Sequence, residues 1–511
     1  MRYTIFGFSV VLLAALFLTS NVKAQVLSPG SFEKTYARDY SIINEDCLQY
    51  INQLDAIQNH APCLEEESVS SIGSTGLSLL SPRALVSYNS AYPRGYNDGP
   101  LWQGKGLTAA LKGGIQGQWG VLSVTLNPMV YYSSNASFYI PSNPNKNEYS
   151  YPFQQNIDYV MRYGDDAFVK LLPGQSDVSV EAFNIRAGVS TQNFQWGPAR
   201  HNPIVMSSHA PGFPHVYVGS DRPFDTGIGD IEIKQFWGQL SESSYFDDNS
   251  SNDERFITGL SLGYEPKWIP GLNLGFNRVM YENWQDLNWE DFFITAYRFE
   301  TPSDVEAEAQ NDEFDQIASV SARWTFPEVG FEPYFEFAKN DFGGEIWGFQ
   351  PEHTRAFTLG ITKWFELNND RDLVLTAEHT TLGQSRSVLV RPTPTYYVHG
   401  VVKQGYTHQG QIMGAGIGPG SHSNTIDVKL YGPKLWHRLV IQNIRFDDDY
   451  YYATFDDRYH HDLEINATYE GRLQLDGYDI GYALTYSRRN NWYYERPRDL
   501  NNIHLTLSLS L

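Results

Sequence analysis

Residues 462–474 alternate without a break: Leu463, Ile465, Ala467, Tyr469 and Leu473 fall on one face of an extended chain, while Asp462, Glu464, Asn466, Thr468, Glu470, Arg472 and Gln474 fall on the other. A strand with one apolar and one charged face has no place in a dry sandwich core, because burying so many charges costs far more than the apolar face returns. The same period of two places Phe256, Thr258, Leu260, Leu262 and Tyr264 opposite Ile257, Gly259, Ser261 and Gly263, and Ile480, Tyr482, Leu484 and Tyr486 opposite Gly481, Ala483, Thr485 and Ser487. It runs from Arg83 to the last residue, punctuated by Gly, Pro, Asn and Asp. A sheet of this kind closes into a barrel whose apolar face meets lipid and whose lumen is polar.

Threading strands backward from the C-terminus gives twelve between residues 229 and 511, separated alternately by tight turns and long polar segments. The tight turns fall at 265–271, 327–330, 367–370, 431–434 and 475–477; the long segments are 241–255, 282–313, 340–354, 391–422, 446–459 and 489–501. Parity puts the turns in the periplasm and the long segments outside the cell. About six more strands fit before residue 192. The expected fold is therefore all-β, a transmembrane antiparallel β-barrel of about eighteen strands over 81–511, preceded by a small helical periplasmic segment over 25–80. In that segment Asn44 is placed to cap a short helix carrying Leu48, Ile51, Leu54 and Ile57, and 68–78 reads as a linker.

The N-terminus carries Arg2, an apolar stretch over 5–18, and Val22-Lys23-Ala24, the pattern of a signal peptide spanning 1–24. After the first twenty residues no apolar run reaches the length of a spanning helix. With 59 Asp and Glu against 37 Lys and Arg, a net charge of -22 argues against nucleic acid as a partner. Cys47 and Cys63, the only cysteines, read as one disulfide in an exported chain, which would stabilise the N-terminal segment by on the order of 3 kcal/mol.

The six long segments hold 25 acidic and 8 basic residues, a net of -17. Aromatic side chains cluster among them, most densely in Phe446-Asp447-Asp448-Asp449-Tyr450-Tyr451-Tyr452 and Asn490-Asn491-Trp492-Tyr493-Tyr494-Glu495. Rings beside carboxylates suit sugars: ring faces pack C–H patches, and carboxylate oxygens accept hydroxyls. The candidate stacking residues are Trp284, Trp289, Tyr450, Tyr451, Tyr452, Trp492, Tyr493 and Tyr494, and the candidate acceptors Asp447, Asp448, Asp449, Asp456 and Asp457. Tyr264, Tyr482 and Tyr486 read as membrane-interface anchors. Glu464 and Glu470 read as lumen lining paired with Arg472 or Arg323.

Motifs for catalysis fail on context. Gly259-Leu260-Ser261-Leu262-Gly263 matches a nucleophile elbow literally but lies inside an alternating strand, where no strand-to-helix turn exists. The glycine-rich run over 414–420 leads into a strand rather than a phosphate-binding helix. His399, His408 and His422 share one long loop and could bind a metal, but read better as a solvated loop; Asp447–Asp449 could hold Ca²⁺ but lacks the spacing of a calcium loop. No enzymatic role, metal or resident cofactor is expected.

Residues 193–240 read NFQWGPARHNPIVMSSHAPGFPHVYVGSDRPFDTGIGDIEIKQFWGQL, preceded by RYGDDAFVKLLPGQSDVSVEAFNIRAGVST at 162–191 and followed by Tyr406-Thr407-His408-Gln409-Gly410 and the 413–421 block. This resembles the capsule-assembly Wzi family over roughly 80–511. The resemblance implies an eighteen-strand outer-membrane barrel with a helical subdomain at its periplasmic mouth. It further implies a non-catalytic lectin that anchors or organises capsular polysaccharide. The expected partners are capsular or exopolysaccharide, outer-membrane lipid and a polysaccharide export machinery. An acidic polymer would be repelled by the acidic loops unless Ca²⁺ bridged them or a neutral stretch bound. The densest stretch of the resemblance carries Trp196, Gly197, Pro198, Asn202, Pro203, Pro211, Gly212 and Pro214, too many prolines for a central strand, so 192–228 is expected to close the lumen as a rigid plug, which parity places on the periplasmic side or folded into the barrel. The rival from another class is a porin or substrate-specific channel, since eighteen strands enclose an aqueous pore unless something fills it.

Overall fold

The computed structural model describes residues 29–44, 50–54, 75–297, 314–340, 351–367, 370–390, 392–456, 459–475 and 477–510. Eighteen strands form one closed antiparallel barrel. They are β1 (Thr75–Asn89), β2 (Gly106–Trp119), β3 (Leu122–Leu126 continued by Met129–Ser133), β4 (Phe168–Leu172 continued by Asp177–Ala182), β5 (Ile185–Ser190) and β6 (His215–Ser220). Then come β7 (Gly229–Ser241), β8 (Glu254–Pro266), β9 (Leu272–Asn283), β10 (Asp315–Trp324), β11 (Phe331–Asn340) and β12 (Arg355–Leu367). The last six are β13 (Arg371–Thr381), β14 (His422–Tyr431), β15 (Leu435–Arg445), β16 (Leu463–Leu475), β17 (Tyr478–Asn490) and β18 (Leu500–Ser510). Each pairs with its neighbours in sequence, and β18 closes on β1 in the register Arg83↔Ser510 to Asn89↔His504.

The alternation sets the two faces. Ile465, Leu484, Leu505 and Leu507 point outward and are exposed, whereas Glu464, Asn466, Thr485 and His504 point inward and are buried. Tyr469 and Tyr486 add exposed outward rings. The long connections all leave one end of the barrel and the short turns the other, the arrangement of bacterial barrels with short periplasmic turns and long outer loops.

Three sequence expectations are corrected here. Residues 50–54 are not helical: Gln53 bridges Trp196, and the helix of this region is α1 (Phe32–Tyr40), capped by Ser31. β1 begins at Thr75, inside the expected linker. The expected plug over 192–228 divides. Residues 191–214 fill the lumen, but His215–Ser220 returns to the wall as the sixth strand, pairing with β5 and β7. With one strand fewer before residue 192, the plug enters from the long-loop end rather than the periplasmic end. The signal peptide, Cys47 and Cys63 lie outside the described residues.

The plug has few backbone partners of its own, so wall side chains supply them. The Glu378 carboxylate on β13 accepts the N–H groups of Arg200, His201 and Asn202 at 2.6, 3.0 and 2.9 Å, and Glu336 on β11 accepts that of Ile204 at 3.2 Å. Gly197 sits at φ +81, where a side chain would be strained, and a Cβ there would meet the Glu336 carboxylate at 3.2 Å. A Cβ on Gly212 would lie 2.0 Å from the Thr191 carbonyl oxygen. The loop over 382–421 folds in beside it: Ser207 N–H donates to Met413 O at 2.9 Å, and the Tyr397 and Tyr406 hydroxyls donate to Ile204 O and Val205 O at 2.7 Å. Trp196, fully buried, packs with Phe194, Phe213 and Phe236 in the apolar centre.

α1 is fastened to the plug and wall by charge. Buried Asp39 receives Lys429 Nζ at 2.8 Å, the Tyr431 hydroxyl at 2.7 Å and the Arg200 guanidinium, which also reaches Glu332 at 2.9 Å. Burial alone would raise the Asp39 carboxyl, but Lys429 and Arg200 outweigh it and hold the group below its ordinary range. Arg38 donates to the carbonyls of Ala199 and Pro198. Arg200→Met removes the cation that Asp39 and Glu332 share, leaving Asp39 to Lys429 and Glu332 to Arg323, so it is expected to cost about 1–3 kcal/mol. The measurement is hydrogen exchange across 32–40, which rises in the variant while exchange in β7–β12 stays as in the parent.

Candidate functional site

At the long-loop end, segments 90–105, 134–167, 446–462 and 491–499 converge on a cavity of about 100 Å³. Ten of the residues lining it are aromatic. Trp492 stacks on Tyr493 with centroids 4.6 Å apart, Tyr92 and Phe138 lie 5.8 and 6.0 Å from Trp492, and Tyr96, Phe153 and Tyr159 also line the cavity. Trp492 and Tyr493 are buried in the wall, while Tyr96, Phe138, Phe153 and Tyr159 keep part of their surface open.

The charged groups in this wall are partnered within the protein. Arg489 grips Asp462 with two bonds of 2.6 and 2.8 Å, and its guanidinium lies 3.9 Å from the centre of the Phe446 ring. Arg94 pairs with Glu464 at 3.4 Å, and Glu464 also accepts the Tyr92 hydroxyl at 2.9 Å. Asp98 accepts Gln103 Nε2 at 2.8 Å, and burial pushes its carboxyl up to about 6. His209, lowered to about 4 by burial, is neutral at physiological pH. Two indole N–H groups of the lining residues, Trp102 and Trp492, have no acceptor among the described residues. The result is a ring-walled cavity with little net charge, suited to a hydroxyl-bearing ligand with apolar C–H patches.

The sequence candidates divide between this cavity, the loop interior and the outside of the wall. Trp492 and Tyr493 line the cavity; Tyr494 is buried behind it and donates to Phe446 O at 3.1 Å. Tyr450 packs on Phe153 at 4.7 Å, and Tyr451 is buried face-on against His461 at 3.6 Å. Tyr452 is exposed on the helix α2 (Asp448–Thr454), and Asp456 is also exposed. Asp457 lies outside the described residues. The expectation of open acceptors does not hold for the buried aspartates. Asp447 accepts the Tyr151 hydroxyl at 2.9 Å, Gln154 Nε2 at 3.0 Å and Tyr450 N–H at 3.1 Å. Asp448 is ringed by Arg445, His461 and His422 at 2.7, 3.0 and 3.3 Å, and Asp449 accepts Gln384 N–H at 2.8 Å. These carboxylates tie the outer loops to one another.

Trp284 and Trp289 are placed elsewhere again. Their segment folds back over outward-facing side chains of the wall: Trp284 meets Phe256, Trp237 Nε1 donates to Phe292 O at 2.6 Å, and Thr295 donates to Gln235 at 3.2 Å. Trp289 is 76% exposed and Phe293 50%, on the side that faces lipid near the outer rim. That is the place of interface anchors, not of sugar platforms.

Ser261 is buried with Asn52 and Asn277 as its hydrogen-bond partners, so no imidazole base adjoins its hydroxyl. His408 accepts Ser241 N–H at 3.0 Å, His399 lies 3.9 Å from Asp315, and His422 lies by Asp448, so the three point to separate partners. Glu470 pairs with Arg438, Arg472 with Glu33 and Asp479, and Arg323 with Glu332; the lining is paired, through partners other than those expected. Tyr92, Arg94, Tyr96, Phe138, Phe153 and Tyr159 were not anticipated. The only local signal for them is the aromatic density of 88–102 and 131–163.

Burial raises Asp447 to about 6 and Asp449 to about 7. A carboxyl that holds its proton more tightly when folded adds stability below its unfolded value, and that stability is lost as pH rises through the folded one. The 446–456 loop is thus expected to be better protected from hydrogen exchange at pH 5 than at pH 8, and Asp449→Asn to raise protection at pH 8 and shrink the difference.

A family model described as capsule assembly protein Wzi matches residues 94–431. No curated protein matches the sequence. Among solved structures, Escherichia coli Wzi aligns at TM-score 0.61 and 11% identity, covering 95% of this chain and 99% of its own. It is described as an outer membrane protein involved in group 1 capsule assembly and as a carbohydrate-binding β-barrel. Pseudomonas aeruginosa OprD aligns at TM-score 0.41 and 11% identity, covering 87% of this chain and 97% of its own. Acinetobacter baumannii OccAB2 aligns at 0.42 and 9%, covering 84% and 97%.

Proposed function

Since the chain belongs to the capsule assembly protein Wzi family, we propose that it is an outer-membrane lectin that holds capsular or exopolysaccharide at the cell surface, and that the ring-walled cavity at the barrel's outer mouth is where the polymer docks. The observation that carries the assignment is that cavity: aromatic faces stand open around charged groups already satisfied by one another. It also answers the conflict posed by acidic outer loops. A sugar unit entering between Tyr96, Phe138, Phe153 and Tyr159 meets ring faces and paired charges, so a neutral unit of an otherwise acidic chain binds without confronting a bare carboxylate. Ca²⁺ then has a role only where acidic polymer crosses the exposed rim. The protein acts by retention, and delivery of the polymer falls to an export machinery.

A deletion strain is expected to shed polysaccharide into the medium. Wild type restores retention, whereas Phe138→Ala/Tyr159→Ala, assembled at normal levels in the outer membrane, restores it poorly. Trp289→Ala, on the lipid-facing side, restores it fully. Retention equal to wild type in the Phe138/Tyr159 variant places the docking site elsewhere. Purified protein carrying the two changes is expected to lose roughly 1–3 kcal/mol of affinity for the isolated polymer, the order lost with two ring contacts.

A further inference from the structure

The plug does not fill the barrel evenly. It packs against the bulky inward residues of β7–β11, among them Phe236, Leu240, Ile257, Val279 and Ile317. The wall on the other side is built small and polar: β17 turns Gly481, Ala483 and Thr485 inward, and β18 turns Thr506, Ser508 and Ser510 inward. Between the plug and this wall lies a chamber of about 410 Å³, room for on the order of ten waters. It reaches from Ser510, Asp479 and Glu33 at the short-turn end to Asn466, Thr485 and His504 at mid-height.

The chamber and the outer cavity share wall residues. Arg94, Gly95, Tyr96, Asp98 and Gln103, from the inward-folded β1–β2 loop, line both. What separates the two spaces is a thin septum of side chains. Arg94 lies 5.2 Å from the centre of the Tyr96 ring and is drawn to Glu464; Asp98 is held by Gln103, which in turn meets His504 at 2.9 Å. The Tyr96 ring stands at the junction, 5.9 Å from His209.

We infer that β16–β18 and β1 flank a narrow water-filled side passage through the barrel, constricted at Tyr96, that conducts small hydrated ions past the plug. The lining favours small anions. Arg438 pairs with Asp427 and Glu470, Arg472 with Glu33 and Asp479, and Lys429 with Asp39 and Asp427, while Arg83 donates to the Ser508 hydroxyl and Arg38 to the carbonyls of Ala199 and Pro198, so the lining leans cationic among its hydroxyls. The passage shares its Tyr96 wall with the docking cavity but is read by conductance rather than by retention, and it stands whether or not the cavity binds sugar.

The experiment is single-channel recording in planar bilayers with the purified full chain in potassium chloride, each variant first shown to be folded by its heat-dependent shift on a gel. Wild type is expected to give a small steady conductance, Tyr96→Ala to raise it several-fold, and Tyr96→Ala/Ala483→Trp, which fills the chamber from β17, to bring it back to the wild-type level or below. Thr485→Phe serves the same purpose if the tryptophan variant does not fold. Ala483→Trp alone is expected to leave polysaccharide retention unchanged. Wild type and Tyr96→Ala both indistinguishable from a protein-free bilayer would overturn the inference, as would a conductance that both chamber-filling variants leave unaltered.

Discussion

A sheet surrounded by lipid has no water to satisfy an edge, so its first and last strands must find each other. Here β18 meets β1 from Arg83↔Ser510 to Asn89↔His504. The rest of the structure depends on that closure. Once the sheet is closed, period-two alternation sends one set of side chains to lipid and the other into a shared interior, and the interior of eighteen strands is too wide for wall side chains to fill. Something else must occupy it, and that something must suit a polar wall.

The chain meets this demand with backbone that is not in a ladder. Residues 191–214 and 382–421 enter from the outer end and leave N–H groups unpaired by regular structure; Glu336 and Glu378 on the wall accept several of them. The carboxylates that would be a liability in a dry core thus serve as acceptors for a folded-in loop. At the opposite end α1 is held by the Asp39, Arg200, Lys429 and Glu332 cluster, which joins helix, plug and wall in one network. Each buried carboxylate is held by two cations, Asp39 by Arg200 and Lys429 and Glu332 by Arg200 and Arg323, so the network holds its charges in place through shared partners.

The same pairing shapes the outer cavity. Most of the formal charge of -22 is carried by the outer segments, yet the groups around the cavity neutralise one another through Arg489 with Asp462 and Arg94 with Glu464. The acidic triplet is likewise turned inward, where it fastens 446–462 to the neighbouring loops. Acidity on the rim and near-neutrality in the cavity are therefore compatible.

The strand count, the twelve strands from β7 onward, the positions of the turns and the division into lipid and lumen faces were all legible in the sequence, because alternation is a local property that each strand carries by itself. The family was legible too, from the 193–240 stretch. What the sequence left open depended on contacts between distant segments. The short strand His215–Ser220 sits among prolines and reads as part of the plug; only its pairing with β5 and β7 makes it wall, and that one strand reverses the side from which the plug enters. Tyr451, Asp447 and Asp448 look like exposed loop residues until 134–167 and 382–421 close over them, and Trp284 and Trp289 look like sugar platforms until their segment folds back onto the outer wall. Tyr96 and Phe138, far apart in sequence from Trp492, meet it in one cavity only because closure of β18 on β1 brings the first loops beside the last. Periodicity fixes which face a residue takes on its own strand; which residues share a space is decided by how the strands close and how the long loops pack inside them.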